Sequence, residues 1–197
     1  GPVESAVSLR FSVLVDGAPF VCGQSFPELG STEAEMGFTD MRFYIHEVAL
    51  LDSDGVEHRV ELDEDGIWQR DGVALLDFED GCENGTTQVN STVYGVVEEG
   101  AYTGLRFSVG VPVALNSPET VLEGRGSPLN QSAMFWSWKS GYKYMRIDGN
   151  SGPFRLHLGA SGCSDDFNCS EVNIPRVTLE EFDVVGQQVQ LDLGKML

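Results

Sequence analysis

At 197 residues, 41% hydrophobic and 10% aromatic, the chain carries enough apolar material for one sizeable core, which sets extensive disorder aside. Its 12 basic and 31 acidic residues give a formal charge of −19, a surface that repels nucleic-acid phosphates and anionic membranes. No apolar run approaches the ~20 residues needed to span a bilayer, and no leader pattern opens the chain. The initial Gly1-Pro2 reads as the scar of a cleaved expression tag, which favours a protein whose natural leader was removed, and residues 3–197 are expected to form a single domain.

The first strand is marked by Leu9, Phe11, Val13 and Val15 alternating with Ser8, Arg10, Ser12 and Leu14, and Asp16-Gly17 turns it. Residues 41–51 predict a second strand, with Arg42, Tyr44, His46 and Val48 on one face and Phe43, Ile45, Glu47 and Ala49 on the other. Asp52-Ser53-Asp54-Gly55 ends it with hairpin chemistry, and residues 56–62 return before Asp63-Glu64-Asp65-Gly66 breaks the chain again. Further strands are expected at 73–78, 92–97, 104–111, 134–147, 154–158, 176–182 and 188–193. Residues 23–38 and 114–132 read as long polar loops, of the length that usually carries function or mobility. Many short strands separated by Gly, Asn and Asp predict an all-β, antiparallel β-sandwich with long loops.

Four cysteines admit three pairings. Cys163 and Cys169 sit in one short polar loop suited to a local staple, which leaves Cys22 and Cys82 for a longer bridge. A zinc site of four thiolates is the competing reading, but zinc sites bring cysteines in tighter pairs than these. Two disulfides, and hence an oxidising compartment, are the expectation.

The usual catalytic signatures are missing: there is no G-x-S-x-G, no H-E-x-x-H and no phosphate-cradling loop. No catalytic residue is assigned, and the chain is expected not to be an enzyme. Among the three histidines, His58 lies between Glu57 and Arg59 and reads as a solvated surface residue. His46 and His157 lie inside strands, His157 facing opposite to Leu156 and Leu158, and either could be structural or a metal ligand. In the run from Met134 to Tyr144, Trp136 and Trp138 share one strand face, as do Tyr142 and Tyr144 beyond Gly141. Such a cluster ordinarily fills a core. An indole nitrogen donates only and cannot ligate a metal until oxidation opens the ring to kynurenine, which carries an arylamine. The acidic turns at 52–55, 63–66 and 77–81 could hold calcium through carboxylates, but serve equally as plain turns.

The string Phe38-Thr-Asp-Met-Arg-Phe-Tyr-Ile-His-Glu-Val48 resembles the F-T-D-L-R-F-Y-V-H-D-V signature of MbnP-like proteins, also described as the four-Cys partner of a metallo-mystery pair. Further matches follow in order. They include Gly66-Ile-Trp-Gln69, the stretch from Ala74 through Cys82 to Thr86, Gly104 to Pro112, Ser127 to Asn130, Met134 to Trp138, Gly141 to Tyr144 and His157 to Cys163. The resemblance covers nearly the whole chain. It implies a periplasmic or otherwise exported β-sandwich engaged in copper homeostasis, with copper as the ion bound. It also implies a di-haem cytochrome c peroxidase-like partner (MbnH-like) that oxidises a tryptophan of its companion to kynurenine. Carried over by position, His46 and His157 become the candidate imidazole ligands. Trp136 and Trp138 become the candidate modified residue and its neighbour, with Trp138, nearer the Gly141 turn, preferred. One departure stands out: where many family members read Leu-Asn-His, this chain has Leu115-Asn116-Ser117, which predicts weaker copper binding, or none, if that histidine is a ligand.

Overall fold

The computed structural model describes residues 1–83, 85–116, 125–137, 140–150, 154–165 and 168–197, the side chain of Ser137 excepted. Trp138 and residues 117–124 of the loop expected at 114–132, Ser117 among them, therefore lie outside the described residues. In chain order the strands are β1 (Glu4–Val15), β2 (Ala18–Pro19), β3 (Ser25–Leu29), β4 (Ala34–Leu51), β5 (Glu57–Arg59), β6 (Glu61–Leu62), β7 (Gln69–Arg70), β8 (Val73–Asp77) and β9 (Thr92–Glu98). They continue with β10 (Gly104–Val109), β11 (Phe135–Ser137), β12 (Gly141–Tyr142), β13 (Met145–Gly149), β14 (Arg155–Leu158), β15 (Ser161–Cys163), β16 (Cys169–Glu171), β17 (Arg176–Leu179) and β18 (Val189–Asp192).

Two sheets face each other. One runs β18-β1-β9-β6 with β2 beside β1, and the other is built on the order β14-β13-β4-β10-β17, with β3, β5 and β8 also pairing with β4. Pairing is antiparallel throughout except between β1 and β18. The alternation read in β1 sends Val7, Leu9, Phe11, Val13 and Val15 into the space between the sheets, against Phe43, Ile45, Leu76, Leu105, Phe107 and Ile147. Edge-to-face contacts of Phe11 with Phe43 and Phe107, at centroid distances of 6.2 and 5.7 Å, fix the two sheets against one another.

The long strand β4 departs from simple alternation. Glu47 takes a φ of 50°, and the register with β10 shifts between Arg106 and Ser108. This bulge moves the inward parity from Met41, Phe43 and Ile45 to Val48 and Leu50, so Val48 does not share the face of His46 as simple alternation predicts. The interval 23–38 is also not a loop throughout, because β3 and the start of β4 pair across it as a hairpin. Residues 134–147 are not one strand either: Gly141 turns the chain at a φ of 72°, leaving the β11–β12 hairpin and a separate β13.

A second apolar cluster lies on the far face of the larger sheet, where Tyr44, Val73, Leu75, Val111, Leu129, Met134, Tyr142, Tyr144 and Ala160 are buried together. The β11–β12 hairpin and the segment after β14 cover that face. The tyrosine hydroxyls find carbonyl acceptors, Tyr44 on Pro128 at 2.9 Å and Tyr142 on Leu129 at 2.6 Å, so this cover is held by hydrogen bonds as well as packing. Disulfides join Cys22 to Cys82 and Cys163 to Cys169, as expected. The first ties the segment before β3 to the loop after β8, and the second closes the β15–β16 hairpin.

Candidate metal site

The far face of the larger sheet carries a polar row beside its aromatic cluster. Register sets His157 of β14 opposite Arg146 of β13, Arg146 opposite Arg42 of β4, and Arg42 opposite Asp77 of β8. In the adjoining row Asp148 stands opposite Asp40. Directly opposed residues of antiparallel strands project to the same face, so these side chains meet above the sheet.

His157 is held through one ring nitrogen. Its Nε2 lies 2.6 Å from Asp148 Oδ1, and no hydrogen bond among the described residues engages Nδ1. A carboxylate on one nitrogen fixes the orientation of an imidazole and leaves the other nitrogen for a metal. Burial works against ionisation of Asp148, but the hydrogen bonds from His157 and Arg146 outweigh it and hold its pKa below the usual carboxylate range. Trp136 closes the group: its ring centroid is 6.3 Å from that of His157 at an interplanar angle of 50°, and the residue is 39% exposed. Gly159 makes this placement possible, because a Cβ there would sit 2.6 Å from Trp136 Cζ3 and 2.8 Å from the Tyr142 carbonyl.

The aromatic run thus divides. Tyr142 and Tyr144 fill the second core and are fully buried, whereas Trp136 stands on the outer side of its hairpin. Burial lifts the Tyr144 hydroxyl to about 12, which keeps it neutral and structural.

His46 is placed elsewhere on the same face. It is buried, 3% exposed, with Nδ1 2.8 Å from the Gly110 carbonyl. That bond assigns the hydrogen to Nδ1. Burial lowers its pKa, outweighing the Gly110 bond and the Glu47 charge, so the ring is neutral with Nε2 bearing the lone pair. His46 is four residues along β4 from Arg42, and His157 is two strands across from Arg42, so strand spacings put the two histidines roughly 16 Å apart. They do not share one ion in this arrangement, and among the described residues no group of three or more His, Cys, Asp or Glu is placed to hold a metal.

His58 is more tied down than its charged neighbours imply. β5 pairs with β4 and lays the ring edge-on to Tyr102 at 5.2 Å, while Nε2 reaches Asp52 Oδ2 at 3.1 Å. The acidic turns use their carboxylates locally. Asp52 Oδ1 accepts from the backbone of Asp54 and Val56, and Asp65 Oδ1 accepts from Ile67, Trp68 and Gln69. Sequence reasoning missed Asp40, Arg42, Arg146 and Asp148. The signal was present as Asp-x-Arg and Arg-x-Asp pairs inside strands otherwise rich in apolar residues, where buried charges must find partners.

The MbnP family model matches residues 4–197. The chain belongs to the MbnP family. Its fold is similar to that of MbnP from Methylosinus trichosporium, with a TM-score of 0.86 at 30% sequence identity, over 97% of this chain and 76% of that one. No curated protein sequence matches significantly. Family membership fits a copper-associated role. No helix among the described residues is long and apolar enough to cross a membrane.

Proposed function

We propose that this family member is an exported copper-binding protein, a carrier or buffer rather than an enzyme, whose site matures when a tryptophan beside His157 is opened to kynurenine. The observation that carries the reading is the contact of exposed Trp136 with His157, whose Nε2 is already engaged by Asp148. Unmodified, this corner offers, among the described residues, one imidazole nitrogen without a hydrogen-bond partner and no second donor of comparable strength, since the indole has no lone pair to give. Cleaving the indole double bond with two oxygen atoms gives an N-formylarylamine, and hydrolysis then releases formate and leaves a free arylamine close to the imidazole. Two peroxide molecules, reduced to water at a di-haem peroxidase-like partner, supply both oxygens. Imidazole and arylamine nitrogen form a borderline donor set that suits copper. His46, with its free Nε2 well away from this corner, is a separate imidazole rather than a member of the site.

The test is copper titration of the purified protein before and after treatment with such a partner and peroxide. Affinity should rise at least tenfold on treatment, accompanied by a mass change of one carbon lost and one oxygen gained. His157→Ala should abolish the rise, and His46→Ala should leave most of it. Oxidised protein that binds copper no better than untreated protein would end this reading in favour of a plain exported interaction module.

A further inference from the structure

His157 is the last member of a chain of charges that starts two strands away. Arg42, 6% exposed, forks onto Asp40 with Nε at 2.8 Å from Oδ1 and Nη2 on Oδ2. Arg146 reaches the same Asp40 Oδ2 through Nη1 at 3.3 Å, and places Nε and Nη2 on Asp148 Oδ2 at 2.8 and 2.6 Å. Nη1 of Arg146 also donates to the Ala133 carbonyl at 3.1 Å, directly before the Trp136 hairpin. Asp148 is therefore filled on Oδ2 by the guanidinium and presents only Oδ1 to His157.

The charges alternate along the chain, Arg42, Asp40, Arg146, Asp148, and every member is buried or partly buried. Planar guanidinium forks fix carboxylates in angle as well as distance, which a single Lys contact does not. A carboxylate free to rotate could turn either oxygen to the imidazole or to the ion itself. One held through Oδ2 by Arg146 keeps Oδ1 directed at Nε2 of the imidazole. On the reading that His157 is a copper ligand, we propose that Asp40, Arg42 and Arg146 are its positioning residues. By locking Asp148 they keep the imidazole hydrogen on Nε2 and leave Nδ1 as the ligand atom.

The experiment needs no copper. Protein labelled with 15N at histidine is examined by long-range proton–nitrogen correlation at alkaline pH, above the usual imidazole range. In the unsubstituted protein the two ring nitrogens of His157 should lie far apart in shift, with the hydrogen on Nε2. In Asp40→Asn, Arg146 loses its second anchor, and the His157 nitrogens should draw together as both tautomers become populated. The His46 pair, anchored independently on Gly110, should not move, which reports an intact fold. Arg146→Lys keeps the charge but removes the fork, and should shift His157 in the same sense. His157 resonances that coincide with the unsubstituted protein in either folded variant overturn the proposal. So does a loss of folding in both variants, which makes the chain of charges structural only. A correct tautomer pattern in a protein that fails the copper titration leaves this inference standing and removes the functional reading alone.

Discussion

At the scale of single residues, the buried charges govern how this protein responds to pH. Asp77 is 2% exposed beside Arg42, and burial raises its pKa to about 7 despite the Arg42 charge and the Glu79 backbone bond that favour ionisation. Its folded pKa lies above the unfolded value, so the native state holds a proton that the unfolded chain has released between about pH 4 and 7. The contribution of Asp77 to stability is full below that window and lost as pH rises through it, by on the order of 4 kcal/mol. Asp77→Asn keeps an acceptor for the Glu79 backbone N–H and removes the buried charge. Chemical denaturation should show the variant matching the unsubstituted protein at about pH 4 and exceeding it progressively up to neutrality. Equal pH slopes for the two proteins would show that Asp77 does not titrate as stated. A second residue-scale test concerns Gly159, where a methyl group would meet both the Trp136 ring and the Tyr142 carbonyl. Gly159→Ala should destabilise by about 1–3 kcal/mol through overpacking. Copper titration after the oxidative treatment should also show a smaller rise in affinity in this variant, because the Trp136 ring must leave the His157 corner.

At the scale of elements, the two disulfides should differ in worth. Cys22–Cys82 closes a sequence separation of 60 and Cys163–Cys169 one of 6, so chain entropy assigns them about 4 and about 2 kcal/mol respectively. Paired Cys→Ala variants measured by denaturation should preserve that order, and a larger loss from the 163–169 pair would show that native-state contacts outweigh loop closure there. The strands themselves were largely legible. β1 and β14 show their faces in plain alternation, and turn residues delimit β4, β8 and β10. What alternation could not show is the bulge at Glu47, since a non-Gly residue at positive φ leaves no compositional mark, and it reverses which side chains of β4 face inward. The hairpin within 23–38 was obscured because its strands are polar on the exposed side. The candidate site was half legible. His157 and Trp136 stand out by residue type, but their contact depends on two hairpins meeting across Gly159, a non-local fact. Asp40 and Arg42 lay in the string that carries the family resemblance, yet only the register of β4 with β13 reveals what they hold.

At the scale of the whole molecule, a two-sheet sandwich supplies rigidity, and its far face supplies chemistry. The main core between the sheets is apolar, so the charged chain and the second aromatic cluster are confined to the opposite face of the larger sheet, under the β11–β12 hairpin. That arrangement leaves Trp136 accessible to an external oxidant while His157 stays fixed from beneath. It also separates His46 from the same corner, so on the proposed reading the site rests on the His157 imidazole and a donor made beside it. On that reading the missing donor is made from Trp136. This is tested most directly by copper titration of Trp136→Phe and Trp138→Phe after identical treatment with the di-haem partner and peroxide. Trp136→Phe should lose the rise in copper affinity, and Trp138→Phe should retain it. A rise that survives in Trp136→Phe and vanishes in Trp138→Phe would contradict that reading.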